Sequence, residues 1–489
     1  MESNPIILFE LDVAVPAQQF RIEYTLVDKG GLPVVPEFLL RLLKISALLP
    51  SEIARYFGFT IKELSVAITP FLQSGEIRIR PDGRVELTEL GLRMFSEAHE
   101  TPMVKRKVER QQTFAFDLVA FTYLGRSLTS TESRRALELH APAETLTESC
   151  RMAVSAFMTQ IYDIHRAGAL GGNQQESLPP ELYKVADAQK TREGWEIIEE
   201  RAGIDPDSRQ IRFTAKEGLR ENESYLRQRT EQLSRHVSTE NLEQVLALAD
   251  YLGDSDSYDF LKSSGLDLQT LHSAARSVNT VRDSTGPRLF GSLQLQGNWE
   301  RVSSVLRKHQ KDLQRTHQEE PTPFTWLAPA AHGLWGKSSR HGQICSAFSE
   351  FASAKSQKGK TDSRSVFDVK LLIPLSGEYD TPGMKRAKSD CSDAKELLCG
   401  FVESERIAPL EAIIIRDRCA VVIYHLVIPK VAQVPIPFGF ITEDPVKVKR
   451  IESLVSSSLD EYVLGNVPRF LGSFDRSGGR GQGGHRRGS

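Results

Sequence analysis

The chain has 489 residues with 62 basic and 64 acidic side chains, for a formal net charge of −2. That near-neutral balance leaves any attraction to nucleic acid or membrane to local patches, and the ordinary composition (40% hydrophobic, 26% charged) fits a soluble globular chain of about two to four domains. Five scattered cysteines without a C-x-x-C pair argue against a disulfide framework and against a zinc site. No window reaches the roughly 18 apolar residues of a spanning helix, and the N-terminus lacks a basic region followed by a long apolar run. A cytoplasmic location with no membrane contact is the expectation.

Residues 6–27 hold two β-prone runs, IILFELDVAV and FRIEYTLV, separated by Pro16 and closed by Gly30-Gly31. From 36 to 98 the pattern is compact. EFLLRLLKISALL repeats its apolar residues at helical spacing, and Ser51 opens a second helix that stops at Gly58. Thr60, with Glu63 three residues on, makes a capping-box start for a third helix, which Pro70 restricts to its first turns. EIRIRPDGRVELT reads as a hairpin turning at Pro81-Asp82-Gly83, and Thr88 caps a further helix.

Residues 101–317 read as mainly helical, with TLTESCRMAVSAFMTQIYDIHRAG, GLRENESYLRQRTEQLSRHVSTE and NLEQVLALADYLG as the clearest segments. QEEPTPF then serves as a linker. FTWLAP, HGQICSAFSEFASAK and SVFDVKLLIPL alternate as strand, helix, strand, and DAKELLCGFVE predicts another helix. The polar stretches 355–365 and 376–393 read as loops. PLEAIIIRDRCAVVIYH gives two strands turning at Arg416-Asp417-Arg418, followed by the strand FGFIT and an amphipathic helix. The tail SGGRGQGGHRRGS is low-complexity and basic. The expected architecture is therefore multidomain α+β, with boundaries 1–100, 101–317, 318–470 and 471–489.

Three helices, a hairpin and a helix in that order, with TELG after the hairpin, resemble a winged helix-turn-helix domain. The Leu410–Val463 stretch resembles the C-terminal half of a phospholipase D-like domain, whose reactive motif is H-x-K-x4-D. The Asp position falls on Asp417, but Leu410 and Ala412 stand where the His and Lys belong. The phosphohistidine chemistry of that family needs both groups, so the resemblance implies a scaffold without its reaction. His425 with Lys430 has the wrong spacing, because side chains on a strand share a face at i, i+2. His309-Gln310-Lys311 lies in a helical pattern, where i and i+2 do not share a face.

The winged-helix resemblance implies nucleic-acid contact. Lys62 on the third helix, Arg78, Arg80 and Arg84 on the hairpin, and Lys105, Arg106 and Lys107 just beyond it are the candidate contacts. Gly336, Lys337, Ser338 and Arg340 form a candidate anion-binding turn at a helix N-terminus. No cofactor and no metal are expected. The combined reading is a non-enzymatic DNA-binding accessory or regulatory protein. Similar pairings of domains occur in sugar-responsive archaeal regulators and beside helicases in prokaryotic anti-phage systems, which implies a protein partner such as a helicase or nuclease. A homodimer is compatible with the reading. The competing expectations are a phospholipase D-type phosphodiesterase or nuclease with a displaced site, and nucleotide binding through the Ala331–Ser338 loop.

Overall fold

The computed structural model describes residues 5–95, 101–128, 130–133, 135–170, 181–205, 208, 210–215, 222–237, 239–280, 288–316, 320–356, 364–463 and 466–474, without the side chains of 28–30, 104–106, 215 and 278–280. The tail arginines Arg476, Arg480, Arg486 and Arg487 lie outside the described residues.

The chain is mixed α+β. Its first feature is a single strand, β1 (Ile6–Gly31), 26 residues long, or about 85 Å at roughly 3.3 Å per residue. Pro16 does not divide it. Proline lacks only the N–H, and its partner Trp195 bonds both of its own backbone groups to Ser130, so the Pro16–Trp195 pair requires none. After β1 come three helices, α1 (Val34–Ile45), α2 (Pro50–Phe57) and α3 (Ile61–Ser74), the hairpin strands β2 (Ile77–Ile79) and β3 (Val85–Leu87), and the one-turn α4 (Glu89–Leu92). Leu40, Ile53, Leu64, Phe71 and Val85 close a small separate core. The third helix runs past Pro70 to Ser74. Around the proline, the Thr69 hydroxyl donates to Ser65 O (2.6 Å) and the Ser74 hydroxyl to Pro70 O (2.7 Å).

The chain then returns along β1 as β4 (Met103–Asp117), with Met103 opposite Gly31. This register places the helical unit at the far end of a ribbon. The short β5 (Tyr123–Gly125) extends β4, and α5 (Ser149–Thr159) and α6 (Ile161–Arg166) cover the middle of the ribbon through Phe157 and Ile164. The third long strand, β6 (Glu181–Ile204), pairs with β1 over nearly its whole length, and β7 (Ile211–Ala215) adds to its end. The region expected to be helical thus contains two of the longest strands. ELYKVADAQKTREGWEIIEE is polar at most positions because much of the ribbon faces water, so its apolar period is weak as a sequence signal. The helices α7 (Glu223–His236) and α8 (Leu242–Leu252) follow.

The C-terminal half is one eight-stranded sheet. Its strands are β8 (Arg288–Phe290), β9 (Thr322–Leu327), β10 (Phe367–Leu375), β11 (Leu398–Val402), β12 (Leu410–Ile415), β13 (Cys419–Leu426), β14 (Ile436–Thr442) and β15 (Phe470–Ser473), in spatial order β8-β14-β13-β12-β9-β10-β11-β15. Strands β9, β10 and β11 are parallel, while β12, β13 and β14 form an antiparallel meander. On one face lie α9 (Gln296–Arg315), α10 (Ser339–Ala352) and α11 (Thr381–Asp390); on the other lie α8 and α12 (Pro445–Asp460). Two expectations differ here. The 376–393 stretch contains α11, capped by the Asp380 carboxylate accepting from Gly383 N–H (2.8 Å) with Pro382 in its first turn. LLCGFV is the strand β11, since parallel strands buried on both faces read as continuous apolar runs that sequence cannot tell from helix.

Candidate functional site

Between the 131–140 segment and the end of the C-terminal sheet lies a cleft of about 980 Å³, lined among others by Arg135, His236, His332, Trp335, Lys337 and Arg386. Beneath it Glu411 and His425 stand on β12 and β13, on the face covered by α10. Leu410 and Ala412, where the phospholipase D-like resemblance would put His and Lys, are buried among apolar side chains on the opposite face. Asp417 turns the hairpin at φ 55°, a left-handed conformation that Asp tolerates.

Glu411 sits in an apolar strand, and its carboxylate is fully engaged. Trp326 and Trp335 donate their indole N–H groups to Oε1 (3.0 and 3.1 Å), and His425 Nε2 lies 2.8 Å from Oε2. Burial alone would raise this carboxyl, but the hydrogen bonds from His425, Trp335 and Trp326 hold it below its ordinary value. His425 Nδ1 is 3.0 Å from His332 Nε2, and His332 Nδ1 accepts from Leu334 N–H (3.2 Å). The tautomers follow from this chain of contacts. With its Nδ1 an acceptor, neutral His332 carries its proton on Nε2 and donates to His425. His425 in turn donates from Nε2 to Glu411. All four imidazole nitrogens are spoken for, so neither ring has one free to attack phosphorus or abstract a proton.

The proposed anion turn sits at the cleft edge with the protein's own acids already on it. Lys337 Nζ bridges both oxygens of Asp390 (2.9 and 3.1 Å), and Arg340 Nε meets Glu10 at 3.0 Å. Ser338 caps α10 by accepting from Arg340 N–H, and the amide of Ser339 donates to the Asp12 carboxylate at 2.7 Å. Asp12 therefore stands where an incoming phosphate would be bound. Gly336, at φ 79°, lies against the His341 ring, which a Cβ there would approach to 3.2 Å.

The other candidate contacts are spread over the distal unit and the ribbon. Arg78 and Arg80 both reach Glu86, the first at 2.6 Å, and their side chains are 69% and 46% exposed. Arg84 turns inward to Ala47 O (3.1 Å) and Glu52 (3.4 Å). Lys62 is exposed on α3, beside the exposed apolar Ile61 and Val66. Lys105, Arg106 and Lys107 lie on β4 opposite Lys29, Asp28 and Val27, and Lys107 Nζ stands 3.6 Å above the Tyr183 ring. The fold does not gather the two groups: the hairpin arginines belong to the helical unit and the anion turn to the cleft.

Sequence reasoning missed Glu411, His332 and the two tryptophans. A lone Glu in LEAIII and a lone His in CAVVIYHL are the signal that was present, since a charged group inside an apolar strand requires buried partners. The chain matches no protein-family model, no curated protein and no solved structure.

Proposed function

We propose that the protein is a non-enzymatic nucleic-acid-binding accessory protein whose distal helical unit, read as a winged helix, grips the phosphate backbone. The observation that carries this reading is the placement of that unit at the end of the long ribbon, where Arg78 and Arg80 are largely exposed and share one carboxylate. Two guanidiniums on one buried Glu86 leave an uncompensated positive charge, and the exposed faces of both arginines can take a phosphate without giving up that carboxylate. Lys62, exposed on α3 of the same unit, adds a further positive charge. In this reading the C-terminal sheet is a phospholipase D-like scaffold without its reaction. The commitment of every nitrogen of His332 and His425 supports that assignment over a displaced active site.

A second reading, docking of a partner protein on the same unit, is favoured by Val34, Ile45 and Val66, which are 70%, 82% and 76% exposed. Binding to fluorescent double- and single-stranded DNA over a salt series separates the two. The nucleic-acid reading expects affinity falling steeply with salt and no magnesium-dependent cleavage. Replacing Arg78 and Arg80 together by Ala should then flatten the log–log salt slope by roughly 2. An absence of binding at low salt would leave protein docking as the unit's role, and cleavage abolished by His425→Ala would restore the enzymatic reading.

A further inference from the structure

Three of the best-buried donor groups in the C-terminal half converge beside the Glu411 network, where the His341 ring packs against Trp335 and Trp326. His341 and Cys345 are one turn apart on α10, so both project from the same side of the helix. Cys391 follows the last turn of α11. All three residues are buried, and their ligand atoms lie within 4.8 Å of one another, with His341 Nε2 3.4 Å from Cys391 Sγ. No described group hydrogen-bonds His341 Nδ1. The hydrogen bonds of the imidazole are thus confined to the two sulfurs, and a metal there displaces only contacts within the cluster. Behind the cluster, Arg135 donates to Asp390 O (2.7 Å) and the Ser392 hydroxyl (2.8 Å), clamping the loop that presents Cys391.

We propose that His341, Cys345 and Cys391 form a binding site for a thiophilic divalent cation, Zn²⁺ by the chemistry of its donors. Tetrahedral Zn²⁺, with bonds of about 2.3 Å to sulfur and 2.0 Å to nitrogen, sets donors roughly 3.5–3.8 Å apart. The observed cluster needs little contraction to reach that spacing. Charge makes the same case. Two buried thiolates without a counter-ion are costly, whereas two thiolates, one neutral imidazole and a dication sum to zero. Cys391 also borders the cleft, and three protein ligands leave the fourth position to water or another small ligand, as in three-ligand zinc sites. The cation would pin α10 to the end of α11, whose Gly383, Arg386 and Asp390 line the cleft.

The test is a Co²⁺ titration of the full-length, reduced and metal-stripped protein, followed by Zn²⁺ competition. The expected result is thiolate-to-cobalt charge transfer together with the visible bands of tetrahedral Co²⁺, saturating near one equivalent and bleached by Zn²⁺. Cys391→Ser should abolish the signal, and Cys150→Ser, which removes the exposed cysteine, should leave it intact. Should Cys391→Ser fail to fold, His341→Gln keeps both thiols and should weaken binding by at least about tenfold. Absence of the bands in the folded wild-type protein, or their persistence in Cys391→Ser, overturns the site. A Cys345–Cys391 disulfide formed under mild oxidation, in protein that takes up no metal, does the same and makes the pair a redox couple.

Discussion

In the C-terminal sheet, Glu411, His425 and His332 are withdrawn from water, and each polar atom has a partner fixed by the strands and by two indoles. In the distal helical unit, Arg78, Arg80 and Arg84 keep their guanidiniums partly in water, although Glu86, the partner of the first two, is buried. The contrast is one of consequence. A buried polar network rigidifies the sheet and is costly to break, because a group left without its partner stays desolvated. A guanidinium that is partly in water can take a second anion without leaving its first partner. Polar side chains in the first region are held by partners on every side, and those in the second keep faces open to water.

The sharpest way to break this comparison is Glu411→Ala, which strands two indole N–H groups and the His425 N–H in a dry site. We expect a loss of about 3–5 kcal/mol in denaturant unfolding; a loss below about 1 kcal/mol would show that the network is not structural. Steric tests follow in both regions. A Cβ on Gly439 would lie 1.9 Å from Val422 O in the middle of the sheet, and one on Gly91 would lie 2.1 Å from Glu76 O in the distal unit. Gly439→Ala should cost roughly 1–3 kcal/mol or more of global stability. Gly91→Ala should raise amide exchange only within residues 34–92, leaving the main unfolding transition in place.

The pH dependence comes next. Burial first, and then the neighbouring imidazoles of His425 and His236, hold the His332 pKa well below its ordinary 6.5. The unfolded chain takes up a proton there below about pH 6.5 and the folded chain does not, so stability falls as the pH drops through that value. The expected slope is about 1.4 kcal/mol per pH unit from this residue, and His332→Phe should remove it in unfolding measured at pH 7.5, 6 and 5. The smallest effect is at the cap of α4, where Thr88 Oγ1 accepts from Gly91 N–H (3.3 Å) and donates to Gly75 O (2.7 Å). Thr88→Ala should cost about 1 kcal/mol, read as faster exchange confined to the distal unit.

The sequence by itself determined the elements whose signals are local. The Thr60–Glu63 box places α3, Pro81-Asp82-Gly83 places the hairpin, and the turn at Asp417 places β12 and β13, because caps and turns are settled within a few residues. It also shows that positions 410 and 412 hold Leu and Ala. The ribbon was beyond it. Strands β4 and β6 are set by pairing with β1 along their whole length, and a polar, water-facing strand carries almost no period of its own. The two clusters were beyond it too. His332, Glu411 and His425 meet from three strand ends, and Cys391 reaches His341 and Cys345 across 46 residues or more. Spacing along the chain says nothing about such encounters, since only the packing of the sheet against α10 and α11 brings those donors within bonding range.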